Sequence, residues 1–348
     1  MAPPISRIAG KLETWFEKNA RDLPWRRTKD PYAVWISEIM LQQTQVKTVT
    51  PYYERWMRTL PTVQKFAAAA PERVLKLWEG LGYYTRVRNA QAAARMIMTE
   101  HSGQFPREFE AILSLPGIGR YTAGAISSIA FDQPAPILDG NVIRVIARLF
   151  GIGGDPRIKT VNARLWDTAH SLVSQPKIEP AKLNQALMEL GALVCLPRQP
   201  RCAECPVHQH CFARREVRIG DFPQIAARTP ATARRFIALV VREEGRFLVR
   251  SRPTGIVNAG LWEFPNFEIP VKTKNLLGLP FPFKISGERP FFSVRHSITR
   301  YRILLEAFTA FRPAGKEVDG LWKTMAEMNK LPFTSAHRKV LDAVRDAR

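Results

Sequence analysis

Four cysteines constrain this chain more than any other feature of its sequence. They are all the cysteines in the 348 residues, and they follow one another as Cys195-x6-Cys202-x2-Cys205-x5-Cys211. Four thiolates this close suit either a [4Fe-4S] cluster or a zinc ion. Zinc sites commonly join two CxxC pairs across a longer insert. This loop has one close pair, so the spacing favours the cluster.

Two histidines inside the loop, His208 and His210, keep zinc open as an alternative, although solvated loop residues are their more ordinary interpretation. Two disulfides are a further alternative for the four cysteines. The N-terminal residues lack the apolar segment of a secretory signal, and the chain has no apolar run long enough to cross a membrane. We therefore expect a cytoplasmic protein with no membrane partner, and cytoplasmic thiols stay reduced.

The chain is strongly basic. Lys and Arg number 52 against 31 Asp and Glu, which gives a net charge of +21. An excess of this size is typical of proteins that bind nucleic acid. A soluble basic protein without that role is the plainer alternative. An anionic membrane surface is a further one, but no basic amphipathic helix with a strong apolar face supports it.

The apolar pattern divides the chain into two parts. Helical spacing continues to about residue 195 and predicts a mainly α domain over residues 1–214. Residues 215–233 have little periodicity and predict a linker. Beyond them, residues 234–348 predict a smaller α+β domain. Its predicted elements are strands at 236–241 and 246–249 around a turn at 243–245, a strand at 301–311 and a helix at 336–347.

The segment LPGIGRYTAGAI, residues 115–126, predicts a phosphate-binding hairpin. Gly117 and Gly119 allow a tight turn, and the amides of Gly117, Ile118 and Gly119 can then bind a phosphate together. A helix beginning near Tyr121 adds its positive N-terminal end. Such a site binds the DNA backbone without reading its sequence. An ordinary glycine turn is the alternative.

The cysteine spacing and this hairpin together resemble the endonuclease III and MutY superfamily of DNA glycosylases. The resemblance runs from about Thr14 to the C-terminal helix. It implies a helix–hairpin–helix glycosylase domain with one [4Fe-4S] cluster held by the four cysteines. The segment LVRSRPTGIVNAGLWEFPNFE, residues 248–268, resembles the Nudix-like C-terminal domain that accompanies such glycosylases. In the family this domain recognises 8-oxoguanine opposite adenine.

The residue type at the position of Tyr121 distinguishes two classes of chemistry within that superfamily. Members that combine glycosylase and lyase activities have a lysine here, whose amine forms a Schiff base with the sugar. A phenol cannot form an imine, so the resemblance points to the monofunctional MutY-type adenine glycosylases. The expected substrate is double-stranded DNA with adenine mispaired with 8-oxoguanine or guanine, and we expect a monomer. A lyase-type glycosylase for oxidised pyrimidines and a non-catalytic DNA-binding iron–sulfur protein remain alternatives.

Two carboxylates are candidates for the chemistry. Glu38 lies in VWISEIMLQQTQV, where apolar neighbours favour its neutral form and so a general acid, with Ser37 expected to cap its helix. Asp139, in LDGNV, would be the anion that stabilises an oxocarbenium-like sugar. The plainer alternatives are an exposed glutamate and an ordinary helix cap. The resemblance assigns the catalytic roles to both, places Tyr121 at the active site, and has Asn141 position the aspartate or the water.

The resemblance also implies how bases are held. It places Trp25, Arg26, Gln185 and Met188 around the adenine and Gln43, Thr44 and Tyr83 at the opposite base. Core packing is the alternative for Trp25 and Met188, and a buried tyrosine pair is the alternative for Tyr83. Many family members carry Phe-Ser-His in a loop that probes 8-oxoguanine. Here the matching residues are Ile298, Thr299 and Arg300, and we expect Thr299 and Arg300 to contact the opposite base or its phosphate.

Overall fold

The computed structural model describes residues 5–226, 230–273, 275–276, 279, 281–313, 315 and 317–346. The chain forms two compact units, one of residues 1–68 and 89–227 and one of residues 69–88 and 228–348. The first is helical and the second contains a mixed β-sheet, which confirms the predicted fold class. Among the described helices, none is both long and apolar enough to cross a membrane.

The helices of both units are numbered here in chain order. They are α1 (Ile5–Asn19), α2 (Pro31–Leu41), α3 (Val46–Thr59), α4 (Val63–Ala68), α5 (Pro71–Trp78), α6 (Thr85–Glu100), α7 (Phe109–Ser114), α8 (Arg120–Phe131), α9 (Gly140–Phe150), α10 (Lys159–Val173), α11 (Pro180–Leu193), α12 (Phe212–Arg215), α13 (Met325–Lys330) and α14 (Ser335–Asp346). Short 3-10 turns are found at Pro24–Arg26, Cys202–Glu204, His208–His210 and Ile219–Asp221.

Helix α2 is buried on all its faces from Tyr32 to Met40 because α3 and α8 pack against it. It begins at Pro31, and the side chain of Asp30 accepts a hydrogen bond from the backbone N–H of Tyr32. The prediction that Ser37 caps this helix is therefore wrong. The hydroxyl of Ser37 is buried and donates to the carbonyl of Val34, one turn earlier. A proline in the first turn and an aspartate before it form the stronger start signal.

Helix α11 packs against α1, α8 and α9, and so forms the centre of the helical unit. Its approach to α9 is closest at Gly191, where an added Cβ would lie 2.6 Å from the Cβ of Asn141. No side chain fits at that distance. A glycine at this position therefore allows the N-terminus of α9, whose N-cap is Asp139, to lie directly against α11.

The second unit is built on eight strands within its described residues. They are β1 (Thr232–Glu243), β2 (Arg246–Ser251), β3 (Trp262–Glu263), β4 (Asn266–Ile269), β5 (Lys284–Ser286), β6 (Phe292–Ile298), β7 (Tyr301–Phe311) and β8 (Leu321–Thr324). β1 pairs parallel with β7 and antiparallel with β2 and β4. β7 also pairs with β5 and β6, and β2 with β3 and β8, all antiparallel. The predicted hairpin is confirmed by the pairing of Glu243 with Arg246.

Strand β1 has apolar side chains on both faces of this sheet. Ala238 and Val240 contribute to a core that α13 and α14 cover with residues such as Val340. Ile237 and Leu239 point to the opposite face and form a second core. Successive side chains of a strand alternate between faces, so a continuous apolar run is expected where both faces are covered.

The extents of the two compact units can be compared with the domains expected from the sequence. Phe222 is buried, and its carbonyl accepts a hydrogen bond of 3.0 Å from Nε of Arg148 in α9. Residues shortly after 214, which the sequence places in a linker, therefore still pack against α9. Residues 69–88, expected within the N-terminal domain, group with the sheet.

Candidate active site

One cavity of about 680 Å³ in the helical unit collects most of the predicted site residues. It is bordered by the 3-10 turn at Pro24–Arg26, by α2 and the turn after it, by the start of α8 and α9, and by α11. The predicted residues that line it are Trp25, Arg26, Glu38, Gln43, Thr44, Gly119, Tyr121, Asp139, Asn141, Gln185 and Met188.

Glu38 is 5% exposed, so the expectation of a buried carboxyl holds against that of a surface glutamate. Its pKa is raised to about 7, chiefly by burial and also by the nearby charge of Asp139. A hydrogen bond from Tyr121 and the charge of Arg26 oppose that rise. A carboxyl with a pKa near neutrality is protonated in a large fraction of molecules, as a general acid requires.

The hydroxyl of Tyr121 donates to Oε2 of Glu38 over 2.6 Å. It also lies 3.4 Å from Sδ of Met188. Burial raises the pKa of Tyr121 well above its usual value, and the carboxyl groups of Glu38 and Asp139 add to this rise. The phenol therefore stays neutral and acts as a hydrogen-bond donor to the candidate acid.

Asp139 is the N-cap of α9, so the plainer sequence interpretation is also correct. Its Oδ1 accepts from the backbone N–H groups of Asn141 at 3.1 Å and Val142 at 2.8 Å, and its Oδ2 from Nδ2 of Asn141 at 3.0 Å. Burial raises the pKa of Asp139, while these three hydrogen bonds and Arg144 act against that rise. Together with the helix N-terminus, they stabilise the ionised form in a buried place.

Arg144, which sequence reasoning did not assign to the site, holds Asn141 in place. Its Nη2 donates to Oδ1 of Asn141 at 2.9 Å and to the carbonyl of Gly191 at 2.6 Å. Its Nε donates to the carbonyl of Cys195 at 2.7 Å. The Asn141 amide is thereby oriented with its N–H towards Asp139. An arginine one turn after a candidate catalytic cap was the available signal.

Glu189 is the second residue that sequence reasoning missed. It is fully buried in α11 and accepts hydrogen bonds from Arg21 and Arg26, with its Oε2 2.7 and 2.8 Å from their Nη2 atoms. Burial acts to raise the pKa of Glu189, but the bonds from Arg21 and Arg26 outweigh it and lower the pKa to about 2. A charged residue within the apolar run of LMELGAL was the signal.

These bonds change what Arg26 can do. Its Nη1 is shared between Glu189 and the carbonyl of Arg21, and its Nη2 is held by Glu189. Arg26 therefore lines the cavity as one half of an ion pair, with both of its terminal nitrogens bonded to protein acceptors. Trp25 beside it is buried and packs edge-on against Tyr53 at 5.4 Å, so it is both a core residue and part of the lining.

The predicted phosphate hairpin has Gly117 at φ +76°, and a Cβ there would lie 2.6 Å from the Cβ of Asn89. Only glycine satisfies both conditions. The amide of Ile118 donates to the carbonyl of Leu115 within the turn. Among the described residues, the amides of Gly117 and Gly119 carry no hydrogen bond, so these two are available to a ligand.

Three predicted contacts to the opposite base, Tyr83, Thr299 and Arg300, belong to the second unit and do not line this cavity. Tyr83 is 48% exposed, so the buried-pair alternative is wrong for it, while Tyr84 is buried. Thr299 and Arg300 form the two-residue turn between β6 and β7, with Thr299 at φ +51°. The Arg300 guanidinium lies 5.2 Å from the ring centre of Tyr301.

The four cysteines line one small cavity of about 30 Å³, together with Arg148 and His208. Nη1 of Arg148 lies 3.4 Å from Sγ of Cys195 and also donates to the carbonyl of Leu196, while Nη2 donates to the carbonyl of Pro197 in the same loop. In the described part of the chain, no set of His, Cys, Asp and Glu side chains converges on a single metal ion. Four sulfurs around a common cavity beside a buried cation suit an anionic metal–thiolate centre.

Fold and site together define a helix–hairpin–helix DNA glycosylase of base excision repair, joined to a Nudix domain. The family described as HhH-GPD superfamily base excision DNA repair protein matches residues 36–170, and the NUDIX domain family matches residues 236–343. The chain belongs to the adenine DNA glycosylase family. It is 38% identical to the rat enzyme over 97% of this chain and 77% of that protein.

Other relatives and structures agree with this assignment. The human adenine DNA glycosylase is 39% identical over 75% of this chain and 58% of its own length. The adenine DNA glycosylase of Buchnera aphidicola from Acyrthosiphon pisum is 38% identical over 73% of this chain and 72% of its own length. A thermostable thymine-DNA glycosylase structure matches with a TM-score of 0.54 at 30% identity, over 60% of this chain and 95% of that one. A non-covalent endonuclease III–DNA complex, at 24% identity and a TM-score of 0.51 over 60% and 94%, shares the fold.

The MutY-type assignment made from the sequence is thereby confirmed, and the chain is a DNA glycosylase enzyme. Family membership sets aside both the lyase-type alternative for oxidised pyrimidines and the non-catalytic DNA-binding alternative.

Proposed function

We propose that this enzyme removes adenine mispaired with 8-oxoguanine, or with guanine, from double-stranded DNA by hydrolysing the N-glycosidic bond. The observation that carries the proposal is the Tyr121–Glu38 hydrogen bond of 2.6 Å, in a cavity that also contains Asp139. It pairs a carboxyl whose pKa is about 7 with a second carboxyl held at a helix N-terminus. Carboxyl groups with different environments can divide acid and anion roles.

The proposed reaction begins when adenine leaves the base stack and enters the cavity. Adenine is a poor leaving group as an anion, so Glu38 transfers its proton to a ring nitrogen, N7 in our proposal, as the bond to the sugar breaks. The electron pair of that bond stays with the neutral base, and positive charge develops on the sugar. The carboxylate of Asp139 stabilises that charge.

Water then completes the hydrolysis, and its proton returns to a carboxylate. Asn141 positions Asp139 or this water, and Arg144 fixes the orientation of the Asn141 amide. Tyr121 donates to the Glu38 carboxylate formed after proton transfer, which makes that transfer more favourable. An abasic site remains in the DNA.

We propose that Gln185 and Met188 of α11 contact the adenine, because both line the cavity and Met188 lies beside the Tyr121 hydroxyl. Trp25 provides an apolar wall. Arg26 contributes through its ion pair with Glu189, which holds that wall in place.

For the opposite base, we propose contacts from Gln43 and Thr44 at the cavity rim and from Tyr83 as a wedge that fills the gap left by the adenine. The exposure of Tyr83 supports this role. Thr299 and Arg300 would test for 8-oxoguanine or contact its phosphate. The amides of Gly117 and Gly119, with Ile118 between them, would bind the DNA backbone.

The four cysteines Cys195, Cys202, Cys205 and Cys211 would hold one [4Fe-4S] cluster. When bound, the cluster supplies a covalent framework for the loop, with no part in the excision step. Arg148 would offset some of its negative charge from a buried position. We further propose that the protein works as a monomer in the cytoplasm with the chromosomal DNA, and that residues 1–214 and 234–348 are its two domains.

Single-turnover excision tests the function. Duplexes would carry adenine opposite 8-oxoguanine, guanine or thymine, and Glu38→Gln would be measured beside wild type. We expect rapid loss of adenine from the first duplex, slower loss from the second and none from the third. The Glu38→Gln variant should lose at least about a thousandfold in rate while still binding the mispair. An intact adenine opposite 8-oxoguanine with iron-loaded enzyme would refute the proposal.

A further inference from the structure

Tyr83 lies in a loop whose backbone is held in an unusual conformation. We name residues 79–86 the Tyr83 loop. Tyr83 has φ +48°, in the left-handed region that residues with side chains adopt at a free-energy cost. Nε1 of Trp78 and Nη2 of Arg86 donate to the carbonyl of Gly82 at 3.0 and 3.1 Å. The Arg86 guanidinium also lies 5.5 Å from the Tyr83 ring centre. These contacts keep an exposed tyrosine in one orientation.

Glu79 holds the base of this loop. It directly follows α5, and its side chain is 13% exposed. Its Oε1 accepts from the backbone N–H of Phe333 at 2.8 Å and from Nε of Arg338 at 2.9 Å. Its Oε2 accepts from Nζ of Lys76 at 2.6 Å. The carboxylate therefore joins a loop early in the chain to two positions near its end.

Those two positions belong to the packed core of the second unit and to the helix that covers it. Phe333 is fully buried in the core beneath α14, and it bridges to Trp262 in β3. Arg338 lies in α14, and its Nη2 also donates to the carbonyl of Leu331 at 2.8 Å. Any movement of the Glu79 carboxylate would break bonds to both the core backbone and this helix.

We propose that Glu79 is a positioning residue that fixes the Tyr83 loop to the core of the C-terminal domain and thereby sets mispair specificity. The inference rests on the proposed function, in which Tyr83 enters the DNA as a wedge. The same unit also carries Thr299 and Arg300. Three of the residues proposed to examine the opposite base are thus carried by one folded core, whereas Gln43 and Thr44 belong to the helical unit.

The experiment uses the full chain with Glu79→Gln, which keeps an acceptor for Phe333 but removes the charge that Arg338 and Lys76 require. Its matched control is Glu306→Gln. The Arg235–Glu306 pair joins β1 and β7 with side chains 17% and 12% exposed, close to the 19% and 13% of Arg338 and Glu79. Two quantities are measured: the ratio of affinities for mispaired and matched duplexes, and the fluorescence of a 2-aminopurine placed beside the mispair.

We expect Glu79→Gln to lower the affinity ratio roughly tenfold and to reduce the 2-aminopurine signal of unstacking, because a displaced wedge enters less often. Affinity for matched duplex should not change. Glu306→Gln should leave both quantities as in wild type. An equal loss in the control would mean that general loosening of the sheet is the cause, and that result overturns the proposal.

The same substitution is then made in a Tyr83→Ala background. If Glu79 acts through Tyr83, the double variant should show no further loss beyond Tyr83→Ala alone. Equal losses in both backgrounds overturn the positioning role but leave the wedge intact. No effect of Tyr83→Ala by itself overturns the wedge proposal and this inference with it. If Glu79→Gln does not fold, Arg338→Gln examines the same link from its other end, with the same criteria.

Discussion

The hydroxyl of Tyr121 and Oε2 of Glu38 are 2.6 Å apart in the lining of the large cavity of the helical unit. At the position where the resemblance implies a Schiff-base lysine in lyase-type members, this chain thus has a donor that contacts the candidate acid. Because this bond favours the ionised form of Glu38, it opposes the effect of burial on its pKa. The balance leaves the pKa at about 7, within the range where one carboxyl can both hold and release a proton.

The pH dependence of excision follows from this balance. We propose that Glu38 acts as the general acid, so we expect the single-turnover rate to be high below pH 7 and to fall tenfold per pH unit well above it. On the acid side, protonation of Asp139 lowers the rate. The alkaline decline is measured with wild-type enzyme on the adenine–8-oxoguanine duplex under saturating conditions.

Tyr121→Phe should move that alkaline decline. Loss of the donated hydrogen bond raises the pKa of Glu38, so the decline should shift upward by about one pH unit. The control is Tyr32→Phe, which removes another buried hydroxyl whose bond goes to the Leu60 carbonyl. Its decline should coincide with wild type. A downward shift in Tyr121→Phe would contradict the assigned role of the phenol.

Glu38→Gln should stabilise the protein at alkaline pH. The pKa of Glu38 is raised from 4.5 to about 7, so its contribution to stability is fully present below pH 4.5 and is lost as pH rises through 7. The ionised buried form costs ~3 kcal/mol at pH 8, which glutamine avoids. Urea unfolding at pH 5 and pH 8 should show that the free energy of unfolding of the variant, relative to wild type, increases from pH 5 to pH 8. Equal differences at both pH values would contradict the burial of this charge.

Glu189→Gln should destabilise the helical unit by ~3 kcal/mol, because two arginines lose a buried partner. The expected loss of stability is at the lower end of the range for broken buried ion pairs, since the Arg21 side chain is 35% exposed. Denaturant unfolding measures it. Asp22→Asn is the control, because the Asp22–Arg27 pair nearby is exposed and its loss should change little. An unchanged free energy of unfolding in Glu189→Gln would mean that the cavity wall does not depend on this ion pair.

The metal content of the purified protein distinguishes an iron–sulfur cluster from a zinc ion. We expect purified protein to contain iron and acid-labile sulfide in equal amounts, without stoichiometric zinc. Cys205→Ser should lose iron and unfold at lower temperature. His208→Ala should keep its iron, since the His208 Nδ1 is already 2.8 Å from the carbonyl of Cys205. Loss of metal in His208→Ala, or zinc at one ion per chain, would instead favour the zinc alternative.

Local signals in the sequence predicted local structure well. The hairpin at Glu243–Gly245 and the strand at Tyr301–Phe311 follow from β-branched runs and turn residues. The start of α2 was misplaced at Ser37, because serine is a frequent cap. Asp30 before Pro31 was the better candidate by the same rules. That error concerned a choice between local signals.

The sequence by itself determined the type of fold, the family and the main candidates for chemistry, because cysteine spacing, hairpin glycines and the segments around Glu38 and Asp139 are short and contiguous. Only the tertiary structure decided which of these residues share a cavity. It also paired Arg26 with Glu189, separated by 163 positions, and grouped Tyr83 with the C-terminal core through Glu79 and Arg338. Such ion pairs depend on packing between distant segments, and no periodicity within either segment encodes the partner.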